Sequence, residues 1–341
     1  MKAVVVHGAG DLRIDQVPDP TPAAGEVLIS MEWGGICGSD LAYVRHGSSG
    51  TAVLKQPLVL GHEFAGRIAQ LGSGVTALQV GQRVTVHPAT LVGDGLLPDR
   101  IAGRTNLYPQ IRYCGSAAFD PHTDGGFSEL KVVRAEQIRL LPDNVSTEHG
   151  ALAEPLAVAL HAVSRAGDLR GRDVLVNGAG PIGSLVVAAL KYRGAATVTA
   201  ADISAESLSI ATAMGADRTL DLSAGDSLPE DAELVFEASG AAAALGSALR
   251  ATARGGTLVQ VGNLPGTPVP AVLGDLVTRE ITWIGSYRFI DEITDAVQAM
   301  HEGLNLAPLI THTFKIDQAA EAIALAGDRS IPSGKVMLQL S

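Results

Sequence analysis

The sequence predicts a two-domain α/β protein in which an antiparallel, barrel-like domain accompanies a doubly wound parallel sheet. A chain of 341 residues is longer than one hydrophobic core usually serves. Residues 1 to about 145 form short alternating stretches interrupted by glycine and proline, a pattern typical of antiparallel strands and barrels. From about 148 to 285, strand-like and helix-like segments alternate, which predicts parallel strands with helices on both faces.

The individual elements follow from these patterns in chain order. The first part contains the predicted strands MKAVVV, DLRIDQV, EVLISMEW, GRIAQLG and QRVTV. The second part contains DVLVN, the helical run IGSLVVAALKYRG, then ATVTAAD, ESLSIATAMG, ELVFEASG, the helical run AAAALGSALRATARGG, and the strands TLVQVG and ITWIGSY. A helix, DEITDAVQAMHEG, and a last strand, KVMLQL, follow Arg288. We therefore expect one domain over residues 1–147 and 286–341 and a second, doubly wound domain over 148–285.

Charge and composition exclude several kinds of partner. The formal net charge is −11, from 25 basic and 36 acidic residues, which gives no electrostatic attraction for nucleic acid or an anionic membrane. No segment approaches the roughly 20 apolar residues that span a bilayer, and no export signal is recognised. We expect a cytoplasmic protein whose two cysteines, Cys37 and Cys114, are free thiols.

A glycine-rich turn predicts a dinucleotide site. Gly178, Gly180 and Gly183 have GxGxxG spacing, follow an apolar strand and open a helix, and the next strand ends at Asp202. This order is the Rossmann fingerprint, in which glycines allow the tight turn, the approach of the pyrophosphate and the packing of the helix on the sheet. Pro181 suits the first helical turn, where Ala179 and the helix amides would face phosphate.

Asp202 predicts NAD rather than NADP. Its carboxylate would accept hydrogen bonds from the ribose hydroxyls and repel a 2′-phosphate, and residues 203–217 contain no Lys or Arg to offset that repulsion. The alternative is a solvated aspartate at a strand end.

Four side chains suggest a zinc site. Catalytic zinc takes three protein ligands from Cys, His and carboxylate and leaves one position open, and Cys37, His62 and either Glu63 or Glu154 supply such a set. The alternatives are a hydrogen-bonded His–Glu pair and a first-turn glutamate favoured by the helix dipole. His161 is interpreted as a packed core histidine.

The ordered motifs resemble a known family. GGICGSD, LGHEFAG, AEPLAVALHA and VLVNGAGPIG are similar in order and spacing to the zinc-dependent medium-chain dehydrogenases, over essentially the whole chain. CGSDLAY and GSYRF resemble the sorbitol dehydrogenase branch, and the segment RTNLYPQIRYCGSAAFDPHTDGGFSE looks most like L-idonate 5-dehydrogenases. The resemblance implies a GroES-like catalytic domain, one Zn²⁺ and NAD.

The resemblance also implies roles for individual residues. Cys37 and His62 match the zinc ligands, Glu63 matches the carboxylate beside the metal, and Glu154 matches a glutamate that binds it directly or through water. Ser39 matches the start of a proton relay. The remaining matches are substrate-pocket residues (Tyr43, Arg288, Phe289) and nicotinamide-cofactor contacts (Ile182, Val261, Gly262, Asn263, Ser286, Tyr287).

Two departures from the family pattern change the expectation. The lobe from His87 to Tyr113 contains none of the four cysteines that hold a structural zinc in many members, and Cys114 does not match that set. We therefore expect no structural zinc, with the lobe held by packing and by charges such as Asp99, Arg100 and Arg104. Ala42 stands where histidine is common, which weakens the substrate assignment.

We therefore predict hydride transfer between NAD and a secondary alcohol of a polyol or sugar acid, of the L-idonate 5-dehydrogenase kind. A sorbitol- or galactitol-type dehydrogenase, a metal-free quinone or enoyl reductase and a non-catalytic NAD-binding protein are the alternatives. The strands TLVQVG and ITWIGSY at a sheet edge favour a homodimer or homotetramer.

Overall fold

The computed structural model of the chain describes residues 1–264, 266–328, 330–331 and 333–341. Its strands are β1 (Lys2–Gly8), β2 (Asp11–Gln16), β3 (Glu26–Gly35), β4 (Ser48–Ser49), β5 (Ala52–Val53), β6 (Leu58–Val59), β7 (Glu63–Leu71), β8 (Arg83–Val86), β9 (Ala89–Leu91), β10 (Ile111–Tyr113), β11 (Leu130–Arg134), β12 (Ile138–Leu140), β13 (Asp173–Asn177), β14 (Thr197–Asp202), β15 (Arg218–Asp221), β16 (Ala232–Glu237), β17 (Thr252–Gln260), β18 (Thr282–Gly285), β19 (Ile310–Lys315) and β20 (Lys335–Gln339).

The α-helices are α1 (Gly38–His46), α2 (Thr147–Gly150), α3 (Ala153–Ser164), α4 (Pro181–Tyr192), α5 (Ala205–Ala213), α6 (Ala242–Ala251), α7 (Gly274–Thr278), α8 (Glu292–His301) and α9 (Ala319–Gly327). Short 3₁₀ turns lie at Asp99–Ile101, Thr105–Leu107, Ala135–Gln137, Ala307–Leu309 and Ile316–Gln318. No helix in the described part of the chain has both the length and the apolarity to cross a membrane.

The first part of the chain is built on antiparallel pairing, as predicted. A seven-stranded sheet has the order β12-β8-β7-β3-β20-β19, with β11 also paired to β3. Strand β3 pairs with β7 along one edge and with β11 and then β20 along the other. The C-terminal strand β20 therefore returns to the sheet formed by the N-terminal part, next to the strand that leads to Cys37.

The second part is the predicted parallel sheet. Its order is β15-β14-β13-β16-β17-β18, and every pairing within it is parallel. Numbered within the domain, this is the 3-2-1-4-5-6 order of a doubly wound nucleotide-binding sheet, whose ligands bind at the carboxyl ends of the strands where the order reverses. Here that point lies between β13 and β16.

Helices α3 and α8 connect the two sheets through one large core. Leu156 and Leu160 of α3, Ile293 of α8 and Val174 of β13 are fully or almost fully buried in the same apolar cluster. A separate cluster fills the antiparallel part, around Phe64 and Phe127. The domain boundaries at 147/148 and 285/286 stay a prediction.

One predicted element is shorter than expected. The helical run AAAALGSALRATARGG ends at Ala251, and Thr252 already starts β17. Thr252 is buried and β-branched, which suits a strand, and Gly255 has φ of +70°, which is incompatible with a continuing helix.

Candidate active site

The pairing of β3 with β7 brings Cys37 and His62 together. Gly35, at the end of β3, lies opposite Glu63, at the start of β7. Cys37 and His62 flank these strand ends, so two turns that are 25 positions apart in the chain become neighbours. One donor atom each of Cys37, His62 and Glu63 lies within 4.8 Å of the other two.

Asp40 holds these two turns in place. Its carboxylate accepts hydrogen bonds from the Cys37 amide at 2.9 Å and from the Gly61 amide at 3.2 Å, and the residue is fully buried. Asp40 was missed in the sequence analysis. An acidic residue three positions after a helix N-cap is a capping-box signal that could have identified it.

Glu63 is fully buried and paired with Lys335 of β20. The Lys335 ammonium donates to Oε1 of Glu63 at 2.6 Å and to the Ile36 carbonyl at 3.1 Å, and it also lies 2.6 Å from Oε2. A β-carbon on Gly35 would lie 2.3 Å from that Oε2, so glycine leaves room for the carboxylate. Burial raises the pKa of Glu63 to about 7 although Lys335 opposes the shift.

Acidic groups lie close to the His62 imidazole. Burial lowers the pKa of His62, but Cys37, Asp40 and Glu154 more than offset this effect and hold the pKa well above its usual value. The imidazole is 8% exposed. A cluster of one thiol, one imidazole and neighbouring carboxylates that favours positive charge is suited to a cation.

Tyr113, the last residue of β10, connects the other predicted site residues. Its hydroxyl donates to Glu154 Oε1 at 2.5 Å, and its ring meets His62 edge-on with 5.7 Å between centroids. The Arg288 guanidinium carbon lies over the same ring, 4.1 Å from the centroid. Burial and the adjacent Glu154 raise the pKa of Tyr113 well above its usual value, so its hydroxyl keeps the proton that it donates. Tyr113 was not singled out from the sequence.

Three predicted catalytic residues take no part in these contacts. Ser39 is half-buried in the first turn of α1. Tyr43 is 3% exposed in the core, and its hydroxyl accepts a hydrogen bond from the Ala117 amide at 2.9 Å. Phe289 is 3% exposed and packs edge-on against His87, with 5.0 Å between centroids. Their contact with a substrate stays a prediction.

The glycine loop has the geometry that the sequence predicts. Gly178 has φ of +96°, and a β-carbon on Gly183 would lie 1.8 Å from the Gly178 carbonyl oxygen, so both positions require glycine. A β-carbon on Gly180 would meet no atom within 4 Å, which leaves its backbone open for a phosphate to approach. Pro181 is the first residue of α4, and Ile182 packs against the core.

Asp202 stands at the carboxyl end of β14 beside this loop. Its carboxylate accepts hydrogen bonds from the Ala179 amide at 2.6 Å and from the Ser204 amide at 2.9 Å. It borders a cavity of about 860 Å³ whose lining includes three carboxylates, Asp202, Asp226 and Glu230, and one cation, Arg250.

The other predicted cofactor contacts lie at the same edge of the parallel sheet. The Val261 and Gly262 amides both donate to the Glu237 carbonyl at 2.9 Å, and a β-carbon on Gly262 would lie 2.2 Å from the Gly240 nitrogen. Asn263 follows directly, and its carbonyl would lie 2.7 Å from a β-carbon on Gly240.

Ser286 and Tyr287 continue this edge from β18. The Ser286 amide donates to the Gln260 carbonyl at 3.0 Å, and Tyr287 is 49% exposed. Arg288 comes next, with φ of +50°, and its side chain reaches back over Tyr113. Tyr113 thus lies between His62 of the cluster and Arg288, which follows the last strand of the parallel sheet.

The sequence and structure of the chain match known dehydrogenases. Residues 23–143 match the alcohol dehydrogenase GroES-like domain, and residues 181–302 match the family described as zinc-binding dehydrogenase. Sorbitol dehydrogenase from Bos taurus is 40% identical over 335 residues, which cover 94% of this chain and 91% of that protein. The chain belongs to the zinc-dependent medium-chain dehydrogenases.

Two further members of the family are similar to this one. L-idonate 5-dehydrogenase (NAD(P)(+)) from Escherichia coli strain K12 is 37% identical over 317 residues, 91% of each chain. The crystal structure of L-idonate 5-dehydrogenase from Escherichia coli superposes with a TM-score of 0.89 at 34% identity, covering 99% of this chain and 97% of that one. The predicted GroES-like and Rossmann architecture is confirmed.

The donor set of this dehydrogenase fits the metal of its family. Thiolate, imidazole and carboxylate are the ligand types of zinc. In a tetrahedral zinc site the ligand atoms are about 3.3–3.8 Å apart, and separations within 4.8 Å need small side-chain adjustments to reach that geometry. The open Gly180 backbone and the α4 N-terminus likewise fit a pyrophosphate.

The lobe of this dehydrogenase is fastened by a buried amide. Asn106 is 2% exposed and donates to the Tyr287 carbonyl at 2.7 Å, and it lies 3.4 Å from Nε2 of His161. His161 is buried, as predicted, and its Nδ1 lies 2.7 Å from Glu292 Oε1. Among the described residues, the predicted lobe charges (Asp99, Arg100, Arg104) form no ion pair. The expectation that ion pairs of these charges hold the lobe is therefore wrong.

Proposed function

We propose that this dehydrogenase transfers hydride between NAD and a secondary alcohol of a polyol or sugar acid, with one catalytic zinc per chain. The convergence of Cys37, His62 and Glu63 within 4.8 Å carries the proposal. Tyr113 links this cluster to Arg288, which follows the last strand of the nucleotide-binding sheet. The sorbitol and L-idonate dehydrogenases that resemble the chain support this substrate class.

The two glutamates differ in their support for a role as the direct ligand. The carboxylate of Glu63 lies in the three-residue cluster, while Oε1 of Glu154 accepts the Tyr113 hydrogen bond. We propose Glu63 as the third zinc ligand and Glu154 as a carboxylate beside it that orients water or substrate. Lys335 holds Glu63 and limits its movement.

Zinc in such a site acts as a Lewis acid that lowers the pKa of a bound hydroxyl group. The residues of the chain then hold the substrate and move the proton. Ser39 is proposed to pass the released proton towards solvent from the first turn of α1. Arg288, whose Nη1 is buried without a hydrogen-bond partner among the described residues, is proposed to bind a substrate hydroxyl or carboxylate by charge-assisted hydrogen bonds.

We propose NAD as the preferred cofactor. A 2′-phosphate near Asp202 would face the other carboxylates of the cavity as well, Asp226 and Glu230, with Arg250 as the one cation among the described residues of its lining. Like charges brought together without compensation oppose binding. Gly178, Gly180 and Gly183 are proposed to hold the pyrophosphate.

We also propose self-association through the edge of the parallel sheet. Strand β18 is the terminal strand of the sheet, and Trp283 on it is 37% exposed. A cytoplasmic location stays a prediction from the sequence.

The proposed function is tested with a panel of alcohols. Purified protein with zinc is mixed with L-idonate, sorbitol, galactitol or a simple secondary alcohol, with NAD and NADP in parallel, and reduced cofactor is followed by absorbance. We expect NAD-dependent turnover of a polyol or sugar acid, and loss of both zinc and turnover in Cys37→Ala. Full activity in Cys37→Ala, or no oxidation of any alcohol in the panel, would contradict the proposal.

A further inference from the structure

Tyr113 lies where three separate parts of the proposed site meet. Its hydroxyl contacts α3 through Glu154, its ring packs against His62 in the turn before β7, and its ring face contacts Arg288 in the segment after β18. Tyr113 is 7% exposed and Glu154 is 5% exposed. The contact is therefore made largely out of water.

The hydroxyl of Tyr113 determines how Glu154 is held. Among the described residues, no other group donates a hydrogen bond to this carboxylate. The terminal torsion of a glutamate is broad and nearly two-fold, so the carboxylate needs a donor to select one orientation. A charge-assisted O–H···O⁻ bond of 2.5 Å is of the short, strong kind.

The aromatic ring of Tyr113 contacts Arg288. Arg288 has left-handed backbone geometry, with φ of +50°, and its guanidinium stacks on the ring face at 4.1 Å. An aromatic face attracts a guanidinium, so the ring holds Arg288 in position. Arg288 is the cation that the proposed function assigns to substrate binding. The hydroxyl and the ring thus support different partners.

We propose that Tyr113 is a positioning residue whose hydroxyl orients Glu154 beside the metal-binding cluster and whose ring seats Arg288 for the substrate. The proposal rests on the proposed function for the roles of Glu154 and Arg288. Residues that orient the groups around a metal change metal affinity or activity by about 10- to 100-fold when they are removed.

Two substitutions separate the two tasks. Tyr113→Phe removes the hydroxyl and keeps the ring, so we expect kcat to fall about 10- to 100-fold while KM stays within about twofold of the wild-type value. Tyr113→Leu removes the ring as well, so we expect KM to rise in addition, by roughly tenfold, because the cation–π contact with Arg288 is lost.

Tyr108→Phe is the matched control. Tyr108 is 6% exposed, and its hydroxyl donates to an aspartate carboxylate, Asp94 Oδ1, at 3.1 Å. It lies in the lobe, outside the proposed site, so its loss should leave kcat, KM and zinc affinity unchanged. If both substitutions lower thermal stability but only Tyr113→Phe lowers kcat, the kinetic effect does not come from the lost stability.

Zinc affinity gives a readout that does not depend on turnover. Apo protein is titrated with zinc against a chromophoric chelator, and Tyr113→Phe is expected to weaken binding by about tenfold relative to wild type and Tyr108→Phe. The proposal is overturned if kcat and the zinc dissociation constant of Tyr113→Phe both lie within about twofold of wild type. A wild-type protein that oxidises no alcohol contradicts the proposed function instead, and the zinc titration still tests the role of the Tyr113 hydroxyl.

Discussion

Lys335→Met tests how the buried ion pair beside the proposed metal-binding cluster supports the fold. Lys335 is 4% exposed and Glu63 is fully buried, and the ammonium has a second hydrogen bond to the Ile36 carbonyl. Removal of Lys335 leaves a buried carboxylate without its countercharge. Breaking such a pair destabilises proteins by about 3–5 kcal/mol, which is roughly 10²- to 10⁴-fold in the unfolding equilibrium.

A second substitution separates the lost pair from simple damage to the core. Replacing a whole buried pair by neutral groups is often close to neutral in free energy. We therefore expect Glu63→Gln to restore most of the stability that Lys335→Met removes, so that the double variant is more stable than the Lys335→Met variant. All proteins are compared without zinc, because bound metal would compensate the free carboxylate.

The two tryptophans lie on different sheets. Trp33 lies on β3 next to β20, and Trp283 lies on β18 of the parallel sheet. In a Trp283→Phe background, urea unfolding followed by fluorescence reports on the antiparallel sheet. If Lys335→Met shifts this transition by less than about 1 kcal/mol, or if the effects of the two substitutions simply add, the reasoning is refuted.

Three further predictions concern other contacts. Asp202→Ala should lower the ratio of kcat/KM with NAD to kcat/KM with NADP by at least roughly tenfold, because an uncompensated charge next to the 2′-phosphate is removed; an unchanged ratio in steady-state assays would count against the assigned role. Asn106→Leu should cost about 1 kcal/mol, because its part-buried hydrogen bond to the Tyr287 carbonyl is lost, and should speed limited proteolysis of the lobe, whereas wild-type cleavage kinetics would argue that packing alone holds it. Burial opposes the shift, but hydrogen bonds, first of all from His161, lower the pKa of Glu292 below 4.5. A carboxyl group whose pKa is lowered on folding stabilises the folded protein at pH values above its unfolded-state pKa, and this stabilisation is lost as the pH falls. Glu292→Gln should therefore lower the free energy of unfolding by about 1–2 kcal/mol at pH 7 and by progressively less below about pH 4.5. An equal loss of stability at pH 7 and pH 4 would contradict this.

Local sequence patterns predicted much of the fold and part of the site. The glycine loop and Asp202 lie close together in the chain and follow strict backbone rules, so the glycine spacing and the flanking strands and helix together predicted them. Alternation with period two predicted the antiparallel strands, and β20 was correctly assigned to the first sheet. The helix that continued too far, through Thr252 to Gly256, shows the usual weakness of such patterns at element ends.

Long-range partners were not predictable in this way. Lys335 is 272 positions from Glu63, and their contact depends on the register of β20 against β3. In the sequence, Tyr113 looks like an ordinary aromatic residue of a strand, because its partners His62, Glu154 and Arg288 come from distant segments. Asn106 resembles any polar loop residue until its burial is known. The charges that the sequence predicted to hold the lobe form no ion pair within the described residues.

The central claim is tested most directly by zinc K-edge X-ray absorption of the fully zinc-loaded protein, with the metal counted in the same sample. The account predicts one zinc per chain, coordinated by a single sulfur at about 2.3 Å together with nitrogen and oxygen ligands at about 2.0–2.2 Å. Two zincs per chain, or a zinc without any sulfur ligand, would contradict the joint assignment of Cys37, His62 and Glu63.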